Sequence, residues 1–462
     1  MSHEGNRLEF ASGEWMHGLA RELWPIHRSI TGEGLRESLR ILAREVPGMT
    51  LDEVPSGTKV FDWVVPKEWV INSATLTGPG GEKVIDYSKN NLHVVGYSEP
   101  VDGYFTLKEL DSHLHSIPEQ PDAVPYVTSY YNKTWGLCLT HKDRLRLTPG
   151  IYHVKIDSDF IDGSLTYGEA VFPGKSTDEI LLTTYVCHPS MANNELSGPV
   201  VAAALANYVH RLESQHYTYR FAFTPETIGA ISYASRNLQH LKSNVVAAFN
   251  LTCIGDDRAF TYLASRSGDL RVDRVSERAV RKRVGAKLYS YLERGSDERH
   301  YGAPGIDLPM VSLMRSRYAD YPEYHTSLDD LENVVTPTGL QGGFDLVREC
   351  LEVFESEEVL VATQLGEPQL GRRGLYHVLQ KKSTPEEVML RTNILAYADG
   401  NYSMRDLAEK FNTDLERIQM LVAELIDHDL IRLGRQSNSL RIGDLSNPKM
   451  APRNTKNEKT DG

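Results

Sequence analysis

The chain has 462 residues, 40% of them hydrophobic, which suffices for more than one core and corresponds to two to four domains. A net charge of −13 excludes a chain built mainly to bind nucleic acid or an anionic membrane. Four scattered cysteines (Cys138, Cys187, Cys253, Cys350) form no disulfide or zinc-thiolate pattern, and with neither a bilayer-spanning run nor a signal-peptide core a cytoplasmic protein is expected.

Residues 10–48 repeat apolar residues at three- and four-residue intervals, interrupted by Pro and Gly, and predict helices. From 58 to 165 short β-rich runs such as "WVINSATLTG" and "GIYHVKIDS" alternate with turn signals, predicting a separate β-rich domain. From about 176 the pattern becomes strand, helix, strand: "EILLTTYVCH", "ELSGPVVAAALANYVHRLES", "YRFAFTPE", "ISYASRNLQHLK", "NVVAAFNLTCIG", then a helix near "RVSERAVRKRV", the strand "LPMVSLMRS" and a helix after "TPTGLQGG". Such alternation implies a parallel sheet covered on both faces. The expected domains are an α/β domain from 1–57 and 166–365, an inserted β-rich domain at 58–165, a third domain at 366–445 and a disordered tail at 446–462. In the third domain, three helices with Gly400 and Asn412 at the breaks, followed by a hairpin, read as a winged helix-turn-helix.

Ligands of open α/β sheets bind at the carboxyl ends of the strands. His188 ends one strand, with Asn193, Asn194 and Glu195 in the loop beyond it. Glu226 ends the next, and Asp256 and Asp257 end a third. "RGSDERHYG" precedes the last strand and brings Asp297, Glu298 and His300, and "YPEYHTSLDDL" follows it and brings Glu323 and His325. Each residue alone has a bland reading: a polar loop histidine, a helix-start acid at Glu226, an N-cap at "NNE". Together on one rim, two histidines and several carboxylates suit zinc with an open coordination position.

The blocks "RSITGEGLRESL", "CHPSMANNELSG", "GSDERHYGAPG" and "YPEYHTSLDDL" resemble the co-catalytic zinc aminopeptidases of the peptidase M-twenty-eight type. They are closest to a bacterial aminopeptidase-like group with a β insertion and a C-terminal winged helix, and the resemblance covers about residues 10–440. It implies a phosphorylase/hydrolase-like zinc aminopeptidase domain. It also implies His188 and His325 as metal ligands, Glu226 as general base, and Asp297 as the acid behind that base. Three positions depart from the two-zinc pattern: Asn194 stands at the bridging aspartate, Thr227 at the second glutamate and Thr252 at a later aspartate. With three anionic ligands gone, one zinc per chain is expected. Glu195 is the chosen third ligand, with Asn194, Asp256 and Asp297 left open.

The expected reaction is hydrolysis of an amide, most simply removal of an N-terminal residue from a small peptide-like substrate, whose charged group Arg299, Arg315 or Glu323 would recognise. A non-peptidase metal-binding scaffold or regulator working through the winged helix is the alternative, and retention of Glu226 favours the enzyme. The β insertion either overhangs the rim or serves packing and homo-oligomer formation. The presumed recognition helix carries Asp414, Glu416, Glu424 and Asp427 against one Arg417, so it predicts a protein contact rather than DNA binding.

Overall fold

The computed structural model describes residues 11–376 and 386–438, in two compact units that divide between Glu352 and Val353. The tail expected to be disordered lies outside the described residues. In the first unit an eight-stranded sheet runs in the order Thr50–Pro55, Ser164–Phe172, Thr218–Thr224, Glu179–Tyr185, Val245–Leu251, Met310–Met314, Phe260–Leu263 and Ala286–Tyr289. The strands from Thr218–Thr224 to Met310–Met314 are mutually parallel, and all four are buried along their whole length. Continuous Val, Ile, Leu and Phe runs are what a sheet covered on both faces requires, which is why they were legible. Strands Thr50–Pro55, Phe260–Leu263 and Ala286–Tyr289 were not expected. Thr50–Pro55 and Ala286–Tyr289 close the two ends of the sheet and include exposed positions, so they lack that apolar continuity, while Phe260–Leu263 is covered but only four residues long.

The helices expected within 10–48 are Gly13–Leu23, started by the Ser12 hydroxyl accepting from the Trp15 amide, and Glu33–Glu45. Helix Ser197–His210 packs so closely on the sheet that a Cβ on Gly198 would sit 2.4 Å from the Leu251 carbonyl oxygen. The small residues of "LSGPVVAAALA" thus reflect helix–strand approach.

The inserted segment forms its own antiparallel sheet, ordered Lys83–Asp86, Glu68–Thr77, Ile151–Ile161, Val101–Thr106. Along Ile151–Ile161 the alternate residues Tyr152, Val154, Ile156 and Ser158 are buried, the period of a one-sided strand. It is not a separate compact unit. Trp69, Leu76 and Tyr152 of the insert share one continuous apolar core with Leu181, Ala222 and Ala248 of the main sheet.

The second unit contains helices Glu386–Ala396, Met404–Lys410 and Leu415–Asp427 and a three-stranded antiparallel sheet ordered Asp399–Ser403, Val359–Ala362, Ile431–Gly434. Its sheet therefore begins before the expected boundary at 366, because Val359–Ala362 pairs with strands of this unit. Ser403 and Asp406 form a capping box at the second helix. Arg417 is neutralised by Glu386 at 2.7 Å, so the third helix presents no free arginine. No helix among the described residues is long and apolar enough to cross a membrane.

Candidate active site

Strand Glu179–Tyr185 delivers His188 to its carboxyl end, where the side chain is buried. The two ring nitrogens have different neighbours. Nδ1 lies 2.7 Å from Glu195 Oε2, and Nε2 lies 3.5 Å from Glu226 Oε2. The other Glu195 oxygen accepts a short hydrogen bond from the Cys187 amide, and the buried Arg28 guanidinium stands 4.0 Å from it. Glu195, expected as third ligand, thus sits on the ring edge opposite Nε2 with both oxygens engaged. A carboxylate in that place fixes the tautomer and tilt of a histidine that offers Nε2. Burial disfavours the imidazolium at His188, while Cys187 and Glu195 favour it strongly enough that its net shift is upward.

Cys187 Sγ, His188 Nδ1 and Glu195 lie within 4.8 Å of one another, a spacing that a metal could bridge. Their bonding disfavours it. Cys187 Sγ accepts from the Glu226 amide at 3.3 Å, burial pushes its thiol up to about 11, and Arg28 already places a cation beside Glu195. The open side of His188 is Nε2.

His325 is the neighbouring imidazole, its ring centroid 5.8 Å from that of His188. Two imidazoles sharing one zinc, at Zn–N of about 2.0–2.1 Å, place their centroids roughly 5–6 Å apart, so the pair fits a common ion. Burial, with His188 adding to it, lowers His325 to about 3, which keeps its nitrogens available as neutral donors to a metal. Its backbone has φ 57°, a strained value for a residue with a Cβ. The insert holds it there: the Tyr126 amide donates to the His325 carbonyl at 2.8 Å, and the Ser327 amide donates to the Val124 carbonyl at 2.9 Å. The Tyr126 ring packs against both histidines, 5.0 Å from His188 and 5.3 Å from His325. The insert therefore reaches the rim and supplies one wall of the site.

Two of the three departures from the two-zinc pattern, Asn194 and Thr252, share one neutral network. The Asn194 amide donates to the Tyr185 hydroxyl at 2.5 Å, and that hydroxyl lies 2.6 Å from Thr252 Oγ1. Asn194 Oδ1 is buried and has no hydrogen-bond partner among the described residues. An orphaned amide oxygen costs about 1–3 kcal/mol unless something else takes its lone pairs, and a cation would. The loop carrying Asn194 is anchored by Asp329, which accepts from the Asn193 amide at 2.8 Å, the Asn194 amide at 2.9 Å and the Tyr321 hydroxyl at 3.1 Å. Asp329 and Tyr126 were missed at the sequence level. Asp329 lies inside the quoted "HTSLDDL" block, so the only signal was proximity to His325; Tyr126 had none.

Glu226 follows strand Thr218–Thr224, and no hydrogen bond reaches its carboxylate among the described residues. Burial pushes its carboxyl up, opposed by His188 and Arg299. Asp297 stands behind it: Oδ1 accepts from the Thr227 amide at 2.8 Å, and burial followed by Glu226 pushes its carboxyl well up. Thr227 has φ 62° and ψ −83°, so Asp297 holds a strained residue next to Glu226.

The remaining expected residues divide. Arg299 is exposed and donates to Thr227 Oγ1 at 2.9 Å. Glu323 is taken up by a two-pronged pair with Arg258, both contacts 2.9 Å. Arg315 does not belong at the rim. It is buried, donates to the carbonyls of Ala259 and Gly339, and stacks 3.9 Å from the Phe260 ring, which makes it a core brace. Asp256 is also withdrawn from any ligand role, since Asn193, Ser316 and the Arg258 amide occupy its oxygens.

Comparison with known proteins agrees with this architecture. A Clostridium acetobutylicum protein named "Putative polysaccharide biosynthesis protein with aminopeptidase-like domain" is 42% identical over 426 residues, covering 91% of this chain and 97% of that protein. A crystal structure of a "putative peptidase" from Clostridium acetobutylicum is 40% identical with a TM-score of 0.75, covering 91% and 96% of the two chains. BSAP, a zinc aminopeptidase from Bacillus subtilis, shares the fold at 13% identity and a TM-score of 0.54, over 74% of this chain and 94% of its own. A winged helix-turn-helix family matches residues 358–433. Residues 17–357 match a second family, and the chain belongs to it: the one described as Domain of unknown function (DUF4910), here built on an M-twenty-eight-type zinc-aminopeptidase fold.

Proposed function

We propose that the chain is a metal-dependent hydrolase of an amide bond in a small peptide-like substrate, with one zinc held by His188 Nε2 and His325. The observation that carries this reading is the pairing of two neighbouring imidazoles with an unbonded carboxylate, Glu226, 3.5 Å from the free nitrogen of one of them. Asn194 Oδ1, buried and unpartnered, is the third protein donor in this reading, in place of Glu195. Zinc, when bound, supplies Lewis acidity toward the scissile carbonyl and the attacking water.

The chain's own groups do the rest. Glu195 holds the His188 ring through Nδ1 so that Nε2 faces the pocket. Glu226 accepts a proton from the attacking water and delivers it to the departing nitrogen; its upward shift moves it toward the pH at which one group can do both. Asp297 fixes Thr227 and with it the aim of Glu226. Tyr126 walls the pocket and limits the length of chain that can enter. A scaffold would gain nothing from a half-buried carboxylate that accepts no hydrogen bond and stands beside a histidine nitrogen. The name of the Clostridium relative extends the candidate substrates to amide-bearing precursors of polysaccharides.

The test is elemental analysis and turnover of wild type and Glu226→Gln. About one zinc per chain in both, with amide hydrolysis lowered about 10²–10⁴-fold in the variant, is expected. Wild-type turnover that survives exhaustive zinc removal would refute the reading.

A further inference from the structure

The ionic character of the pocket bears on what it accepts. A free α-ammonium needs a carboxylate to receive it, and a carboxylate already saturated by protein donors cannot do so without losing them. The strand-end carboxylates are already engaged by protein donors. Glu195 holds the Cys187 amide and His188; Asp329 holds two amides and Tyr321; Glu298 holds the Gly295 and Ser296 amides, Tyr318, Asn250 and Ser312; Glu323 holds Arg258. Asp297 holds the Thr227 amide through one oxygen, and Glu226 alone of these accepts no hydrogen bond among the described residues; the first is committed to Thr227 and the second to the proton transfer. The neighbouring Asn194, Thr252 and Tyr185 are neutral and hydrogen-bonded to one another.

The charge that remains is positive. Arg299 has no ion-pair partner within 4.0 Å among the described residues, although it stands beside the base: its Nη2 donates to the hydroxyl of Thr227, the residue after Glu226. It is also held in place. Nε donates to His300 Nε2 at 3.1 Å, and burial with Arg299 itself keeps that imidazole neutral, at about 4, and so able to accept. Of the five N–H groups of a guanidinium, two are then used, and the Nη1–Nη2 fork keeps three for a ligand. That is the two-pronged geometry that receives a carboxylate or phosphate.

Resting on the hydrolase reading, we infer that the pocket selects an amide bearing an anionic group about one residue from the scissile bond, received by the Arg299 fork, and discriminates against a free amino terminus. The anion is a carboxylate or a phosphate-like group, and Arg299 is the specificity-determining residue.

The experiment uses full-length, zinc-loaded protein and four para-nitroanilides of alanine: free amine, N-acetyl, N-succinyl, and N-(3-phosphonopropanoyl). Release of nitroaniline gives kcat/KM, and calorimetry on zinc-loaded and zinc-stripped protein with the corresponding ketomethylene analogues, which lack the scissile amide nitrogen, gives binding. The expected result is at least a tenfold preference for an anionic acyl group over the N-acetyl compound, in both readouts. That preference should collapse in Arg299→Gln and fall at least tenfold in His300→Phe, which removes only the acceptor for Nε. Which of the two acids leads identifies carboxylate or phosphate. A free-amine anilide cleaved as well as the anionic ones would overturn this inference and leave the hydrolase intact. Anionic amides bound through Arg299 but never cleaved would instead sink the hydrolase reading and keep the recognition. Absence of both binding and cleavage would overturn both.

Discussion

Asp329→Asn tests whether one buried carboxylate assembles the site. The change preserves size but replaces one carboxylate oxygen with an NH2 group. In the native loop one oxygen accepts from the Asn193 amide and the other from the Asn194 amide and Tyr321, so the variant must set a donor against one of two backbone N–H groups. Losing charge assistance costs about 1.5 kcal/mol and stranding a buried donor about the same again, so we expect about 3 kcal/mol, roughly two decades in the folding equilibrium. All five tryptophans (Trp15, Trp24, Trp63, Trp69, Trp135) lie in the first unit, so urea unfolding followed by tryptophan fluorescence reports on that unit alone. Burial lifts the Asp329 carboxyl to about 7, against the pull of the two amides and Tyr321, which adds a pH signature. The raised value means that the folded chain takes up this proton before the unfolded one, so wild type gains stability as pH falls through 7 and the variant does not. Between pH 8 and pH 6 the gap between them should widen by about 1.4 kcal/mol. Zinc affinity should fall about 10–100-fold, as for other changes behind a ligand. A cost under 1 kcal/mol at pH 8 with unchanged zinc binding would refute the role given to Asp329.

Glu195→Gln should retain the fold yet weaken zinc binding about 10–100-fold, measured by competition with a chromophoric chelator; unchanged affinity would show that Nδ1 needs no carboxylate. Gly198→Ala should destabilise the first unit by several kcal/mol in the same urea assay, because its Cβ would collide with the Thr184 hydroxyl and Leu251 carbonyl. His27, packed edge-on against Trp69 and Tyr87, is lowered by burial and Arg28 to about 3. It favours folding above pH 6.5 and loses that contribution as pH falls toward 3, so His27→Phe should flatten this part of the acid-stability curve. The winged helix should give no salt-dependent rise in fluorescence anisotropy with labelled duplex DNA, given the pairing of Arg417 with Glu386.

How far the sequence could be read depended on whether burial imposed a pattern. The parallel strands were legible because both faces are covered, and strand-end logic then placed His188, Glu226, Asp297 and His325 on one rim. The end strand Ala286–Tyr289 is largely exposed and carries no such continuity, and its neighbour Phe260–Leu263 is covered but only four residues long, so neither was legible. Side-chain direction was the harder limit. Glu195 stands at the right place in the chain to reach a metal, but spacing cannot say which edge of the imidazole it meets. Arg315 looked like a rim cation because it follows a strand, and it turns into the core instead. Tyr126 arrives from an insertion some sixty residues earlier, and no local pattern in the insert announces a contact with His188.

The clasp between Tyr126 and the His325 loop also bears on how the protein is made. Nascent chain emerges from the amino end, and the four strands of the insert's main sheet, all within residues 68–161, are complete long before His325 is synthesised. His188 and Glu195 likewise emerge early, but the loop that sets Asn194 has no anchor until Asp329 follows. A ribosome paused anywhere before that point carries one histidine of the pair and no cage. For the proposed site, metal loading would thereby wait until almost the whole first unit has been translated, and a truncated product would lack both His325 and the anchor of Asn194.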